Sequence, residues 1–279
     1  IDTGQIRDGS TLDPALDGVT INGSPALDAL ANLDIVRELS AVLGRRAATV
    51  ELGRFRSELA DGLVYAGFGV GARARLDLDE LHALPLDLEL TAIGLADRLD
   101  QIAHDPLIAL RASHELSLFE TLDVFGAVVW DRNGGMSDVI RSAFAERALE
   151  SPAALNALFA NDAGHGHIVY LGADAVLALA DGLLLRTAAA GAAGSFRLDV
   201  GGALTGQPRH AAIDVLAGAA SVELRYDIGA GFELVSHGFL LSGSGPPVQG
   251  QTYHAFVSPA PYWIWTGLFF SGGLNQSLF

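Results

Sequence analysis

Val222-Glu223-Leu224-Arg225-Tyr226-Asp227-Ile228 sets an apolar or aromatic side chain against a charged one at every step. Successive side chains of a strand point to opposite sides, so a strict period of two predicts a strand with one buried and one wet face. The same alternation occurs in Ala74-Arg75-Leu76-Asp77-Leu78-Asp79, Leu86-Asp87-Leu88-Glu89-Leu90, His114-Glu115-Leu116-Ser117-Leu118 and Phe196-Arg197-Leu198-Asp199-Val200. The carboxylates at 77, 79, 87 and 89 fall in the charged phase and are assigned to the wet faces. Period-two patterning fills most of 47–130, with a short helix expected near 94–103. Beyond it, strands are expected at 196–200, 222–228, 232–241, 253–257 and 262–270, separated by Gly- and Pro-rich turns.

Helical spacing occurs elsewhere. Ser24-Pro25 offers an N-cap followed by proline at the first helical position. Leu27, Leu30, Leu33, Val36, Leu39 and Val42 follow, and Gly44 can close the segment, which predicts a helix over about 25–43. After the Asp131–Gly135 turn, Ser137 can cap a helix to about Leu149. Ser151-Pro152 can open a second helix through Phe159.

Three short blocks return in the same order. Ser24-Pro25-Ala26-Leu27-Asp28-Ala29-Leu30 is echoed by Ser151-Pro152-Ala153-Ala154-Leu155-Asn156-Ala157-Leu158, and Leu59-Ala60-Asp61-Gly62-Leu63 by Leu179-Ala180-Asp181-Gly182-Leu183. Arg75-Leu76-Asp77 is echoed by Arg197-Leu198-Asp199. Self-similarity of this kind points to copies of one unit. The expected fold is mainly β with a few helices: two tandem related antiparallel β-sandwich or jelly-roll-like units, each with a leading helix. The expected division is an N-terminal arm at 1–23, a helix plus sandwich at 24–150, and a related unit at 151–279.

Half of the 279 residues are apolar and 18% are charged, enough for a sizeable core. A net charge of −16 disfavours nucleic acid, whose binding needs cations against phosphate. All 17 basic residues are arginine, a bias typical of GC-rich bacterial or phage genomes, and there is no cysteine to form disulfides or thiolate sites. The longest apolar stretch, Ile168 to Leu185, is broken by Asp174 and Asp181, so no membrane insertion is expected. An outer-membrane barrel is set aside because Gly273, Asn275 and Ser277 interrupt the alternation before the terminal Phe279.

Two constellations stand out. His165 and His167 in Asp162-Ala163-Gly164-His165-Gly166-His167 would share one face of a strand, a workable metal-ligand pair. With His254 they are similar to the histidine motifs of cupins, although the glutamate expected after the first pair is missing and the nearby acid is Asp174. The second is aromatic: Tyr253, His254, Tyr262, Trp263 and Trp265 are candidates for contact with a partner or a glycan. No Gly-x-Ser-x-Gly elbow and no phosphate loop occurs, and Gly67–Gly71 lacks the helix of a dinucleotide site. The expectation is therefore no catalytic residue, no cofactor and no enzymatic activity.

The run Ser151-Pro152-Ala153-Ala154-Leu155-Asn156-Ala157-Leu158-Phe159-Ala160-Asn161-Asp162 resembles helical connectors of phage tail and fibre proteins. Trp265-Thr266-Gly267-Leu268-Phe269-Phe270 is similar to the last strand of trimeric jelly-roll heads. The resemblance implies a virion fibre, spike or baseplate component acting in assembly and host-surface attachment. It implies a homo-oligomer with a trimer favoured, other virion proteins as partners, a surface glycan as a further one, and a place in the virion or outside the cell. The alternatives are a secreted or cell-surface lectin-like protein and, third, a metal-dependent cupin-like enzyme using His165, His167 and His254.

Overall fold

The computed structural model describes residues 39–95 except 46 and 83, residues 105–132 except 118, and residues 136, 137 and 140. It further describes 164–199, 210–229, 232–243 and 252–259. They are mainly β. Ten strands follow one another as an antiparallel meander in a single sheet: β1 (Leu39–Arg45), β2 (Ala48–Leu59), β3 (Tyr65–Asp77), β4 (Asp87–Gly94), β5 (Pro106–Ser117), β6 (Glu120–Asp131), β7 (His165–Ala180), β8 (Leu183–Asp199), β9 (His210–Gly229) and β10 (Phe232–Leu241). A two-residue β11 (Thr252–Tyr253) runs parallel to β9, opposite Asp214 and Val215. The one helix with a full described extent, α1 (Leu78–His82), fills the β3–β4 connection, with Asp77 Oδ1 accepting from the Glu80 N–H at 3.0 Å.

The connections are unequal at the two ends. At one end the strands are joined by residues 46–47, 118–119, 181–182 and 230–231, with 78–86 the longer exception. At the other they are joined by 60–64, 95–105, 132–164 and 200–209.

Almost all burial lies on one face of this sheet. Phe55, Ile93, Leu107, Phe125, Val129, Ile168, Tyr170, Phe196, Ile213 and Val215 belong to one cluster that extends from β2 to β9. No second layer of strands faces them among the described residues, so the sheet must meet itself. Asp61, between β2 and β3, lies 3.5 Å from Arg186 on β8. In a flat sheet β3 and β8 would stand about 24 Å apart, five strand spacings of roughly 4.8 Å. The contact therefore requires a strongly curled wall. The segment 252–258 runs inside it. Tyr170 Oη donates to Val257 O at 2.7 Å, the Tyr170 and Phe256 rings meet edge to face at 6.0 Å, and Ser258 Oγ donates to Val64 O.

Several expectations change. The two sandwiches give way to one curled sheet, in which β6 and β7 pair through eleven residues across the 150/151 boundary. Residues 39–43, assigned to the first helix, are strand β1, in register with β2 from Leu39↔Arg54 to Arg45↔Ala48. An available strand edge outweighs helical spacing there, and the rest of that helix lies outside the described residues. The 74–79 alternation stops at Asp77, which caps α1. Asp131, rather than Ser137, does the capping after β6: its Oδ2 accepts from the Ser137 N–H at 2.6 Å, with Met136, Ser137 and Ile140 helical. The 253–257 strand is reduced to β11. Gly94, the expected start of the 94–103 helix, ends strand β4; residues 96–103, the helix over 151–159, nearly all of 137–149, and the strand over 262–270 lie outside the described residues.

The repeated Leu-Ala-Asp-Gly-Leu blocks are both hairpin turns, β2–β3 and β7–β8, with Gly62 at φ 83° and Gly182 at φ 74°. Five strands separate them, so in a meander they sit at opposite ends of the sheet. The shared glycine meets a shared need for a left-handed residue.

Inward packing is tight where Gly172 faces Phe125. A Cβ there would lie 2.6 Å from Phe125 Cζ and 2.4 Å from Ala189 O. Gly172→Val is expected to destabilise the fold by about 1–3 kcal/mol through overpacking, whereas outward Gly126→Ala, with only Leu171 Cδ2 at 3.3 Å, stays near wild type. Urea unfolding midpoints of the two variants check the contrast.

Candidate functional site

Directly opposed residues of neighbouring strands share a face, and the register sorts the wall into rows. One outward row reads Val50, Ala74, Leu90, Leu110, Gly126, Leu171, Gly191, Gly218. The next reads Leu52, Ala72, Ala92, Ile108, Val128, Val169, Ala193, Leu216. A third reads Ala48, Leu76, Leu88, Ala112, Val124, Ala173, Ala189, Ala220, Leu240. None of the three contains a polar side chain. Their large members face outward in the open, Leu171 at 67% and Leu240 at 73% of full exposure. Polar and aromatic side chains flank the rows: Arg54, Trp130, His167 and Asp214 toward the long connections, and Tyr226 toward the short ones.

The inward rows carry the charge. Glu51 faces Arg73, Glu89 faces Arg75 on β3 and Arg111 on β5, and Asp123 faces Asp174. Arg73 lies 3.2 Å from Glu51 and 3.5 Å from Glu89, with its guanidinium 4.3 Å over the Phe55 ring. Glu89 also meets Arg75 at 2.8 Å. Arg111 Nη2 donates to Asp123 and lies 3.4 Å from Asp174. Further round, Glu223, 2% exposed, pairs with Arg225 and with His237 Nδ1 at 3.1 Å.

The polarity is thus the reverse of the sequence expectation. Within Val222–Ile228 the glutamate is buried, and Val222, Leu224, Tyr226 and Ile228 are exposed. Glu89, assigned to a wet face, is partly buried in the arginine network. Pattern alone finds the period but cannot say which phase points inward.

The interior has two halves. Toward the long connections it is dry: Val64, Leu107, Ile140, Ile168, Tyr170 and Ile213 have no exposed surface. Toward the short turns it opens into a cavity of about 320 Å³ lined by Thr49, Arg75, Asp77, Asp87, Glu89, Arg111 and Ser113, with Leu76 and Leu88 at its edge. The turn 60–64 is drawn into the curl, and burial raises the Asp61 carboxyl above its ordinary range, against the lowering effect of Arg186.

The sequence-derived candidates fall elsewhere. Tyr253 is buried at 3% exposure, and the exposed His254 turns its Nδ1 to Leu216 O at 2.9 Å. Tyr262, Trp263 and Trp265 lie outside the described residues. His165 and His167 lie at the start of β7, opposite Arg197 and Ser195 and both exposed. No cluster of three metal-ligating side chains occurs among the described residues. No described helix is long and apolar enough to cross a membrane. No family model matches the chain, and no curated protein matches its sequence.

Arg111 is the cation between two facing carboxylates. Its replacement by Met is expected to cost about 3–5 kcal/mol, because Asp123 and Asp174 are left buried and uncompensated. Adding Asp123→Asn and Asp174→Asn to Arg111→Met should recover most of that loss. Equilibrium unfolding of the single and triple variants gives the comparison, and a triple variant as weak as the single would refute the assignment.

Proposed function

We propose that this chain is a membrane-embedded β-barrel protein of a bacterial outer membrane, whose wall spans the bilayer and whose polar interior takes up small hydrophilic solutes. The observation that carries the reading is the inverted polarity: charges paired inside the curl and an unbroken apolar belt outside it.

In hydrocarbon, backbone polar groups must be satisfied within the protein, which leaves helices and barrels as spanning structures. Strands β2 to β9 are hydrogen-bonded on both sides and meet that demand, and closure of the barrel would bring the edges β1 and β10 together. The dimensions fit as well. On β6 the outward residues Leu122, Val124, Gly126, Val128 and Trp130 cover nine positions, about 27 Å along the strand; the three unbroken rows form the middle of that length, and the rows through Leu122 and Trp130 also carry His114 and Thr187 on one side and His167, Ser195 and Asp214 on the other. On β9 the outward positions run from Leu216 to Tyr226, eleven residues. Spanning strands need about 9–11 residues at a tilt near 45°. Short turns at one end and long connections at the other are the usual asymmetry of such barrels.

The virion component expected from the sequence would cover the belt with neighbouring copies of itself. The extent of the belt favours lipid. It runs over every strand from β2 to β10, whereas a symmetric trimer covers limited patches and leaves the rest to water. For a lectin-like or cupin-like reading, the described candidates offer less: Tyr253 is buried, His254 turns to the Leu216 carbonyl, and no cluster of three metal-ligating side chains occurs among the described residues.

The test is co-flotation. Refolded protein mixed with phosphatidylcholine vesicles is expected to float with them in a density gradient and to resist extraction by carbonate. Val124→Arg, on the outward face, should lower folding stability in the bilayer by about 2–4 kcal/mol. A chain that stays in the aqueous fraction as a stable trimer would overturn the reading and restore the virion component.

A further inference from the structure

We infer that the β2–β3 turn is a displaceable plug, latched across the interior by Asp61 to Arg186, that keeps the barrel closed to solutes until the latch opens. The inference rests on the membrane reading above and concerns the state of its interior.

Three observations carry it. First, the turn sits inside the curl: Ala60 and Leu63 are 1% exposed and Val64 is fully buried. A hairpin turn at the end of a spanning strand would ordinarily lie in water. Second, the turn is held in an unfavourable backbone. Ala60 has φ 56°, a left-handed conformation unfavourable for a non-glycine residue, and it leads into the tight Asp61-Gly62 turn (φ 50° and 83°) closed by the Leu63 N–H donating to Ala60 O at 2.9 Å. Strain of this kind persists only where surrounding contacts overcome it. Third, besides the apolar packing of Ala60, Leu63 and Val64 in the core, two polar contacts tie the turn to distant parts of the chain. Asp61 reaches Arg186 at 3.5 Å, and Val64 O accepts from Ser258 Oγ. Ser258 follows Phe256 and Val257, which pack on Tyr170 and complete the dry half of the interior.

Water approaches from the short-turn side, where the cavity lies and where Arg186 keeps 41% of its side chain exposed. It stops at the layer of Leu63, Val64, Tyr170 and Val257. Among the described residues of that layer, the turn combines left-handed backbone, a charge and an ion pair. Withdrawing Asp61 would rehydrate a carboxylate and free left-handed Ala60 to relax, at the cost of the Arg186 contact and the apolar surface of Leu63 and Val64.

Planar-bilayer conductance in potassium chloride, with the full chain, tests the plug. Each protein is first shown to float with phosphatidylcholine vesicles. Wild type is expected to insert and remain closed, with rare brief openings. Asp61→Asn, which keeps a residue tolerant of positive φ, and Arg186→Gln should each raise the open time at least tenfold. The exchange Asp61→Arg with Arg186→Asp should return it to within about threefold of wild type, which a general loosening of the fold would not do. A wild type that floats but conducts steadily, single variants as closed as wild type, or an exchange variant as open as the singles would each overturn the plug while leaving the membrane reading intact. A wild type that does not float overturns both.

Discussion

The guanidinium of Arg111, set between the carboxylates of Asp123 and Asp174, ties β5, β6 and β7 into one register. A strand that slips by one residue sends every side chain to the opposite face. Here a slip would drive a charged group into the outward rows and pull leucines into the paired interior. Each misplaced ion would lose its partners as well as its position. The network of Arg73, Arg75, Glu51 and Glu89 imposes the same condition on β2, β3 and β4, and Glu223 with Arg225 and His237 imposes it on β9 and β10. Ion pairs of this kind are weak sources of net stability once desolvation is counted. Their effect is to make alternative registers costly.

That constraint explains the division of the interior. Where the inward residues are charged, the curl retains a cavity, and partly exposed groups such as Arg75 remain hydrated. Where they are apolar, the interior is filled by aromatic rings and by the segment 252–258, and no cavity is needed. Polar and apolar inward residues lie at different levels, so one sheet carries both a packed core and a wet mouth. The turn 60–64 belongs to the first by its leucine and valine and to the second by Asp61.

The strands were legible because alternation survives whichever phase is buried: β2 to β6 fill the stretch read as period two, and β10 matches its expected bounds. The inside and outside were not legible. In Val222–Ile228 the reading depends on what surrounds the apolar phase, and a sequence window contains only the strand. Residues 39–43 show a different limit, since Leu39 and Val42 fit a helix as well as an edge strand, and the choice is made by the neighbouring β2. The sandwich expectation rested on the echoed blocks and on alternating strands separated by turns, and neither feature distinguishes two layers from one curled sheet. The latch was equally hidden. Asp61-Gly62 reads as turn chemistry, and only the curl of the wall brings Arg186, 125 positions later, to its side.

The outward belt finally bears on what must surround the molecule. Single exposed leucines are ordinary on proteins in water, but contiguous apolar patches beyond a few hundred Å² are not. Leu52, Ile108, Val169 and Leu216 lie in one row, directly above Leu90, Leu110 and Leu171 in the next, and none of these rows is interrupted by a polar group. A protein partner covers such a surface by matching its shape, which calls for knobs and hollows at defined places. The belt instead sets leucine and valine beside alanine and glycine over its whole width, with one apolar hollow where Ala173, Ala189, Gly191, Gly218 and Ala220 lie between Leu171 and Leu240. A fluid apolar medium makes no demand on contour and only forbids charge. The belt satisfies that requirement over nine strands, and in the proposed bilayer its Trp130 and Tyr226, near its edges, would place rings with polar tips where hydrocarbon meets water.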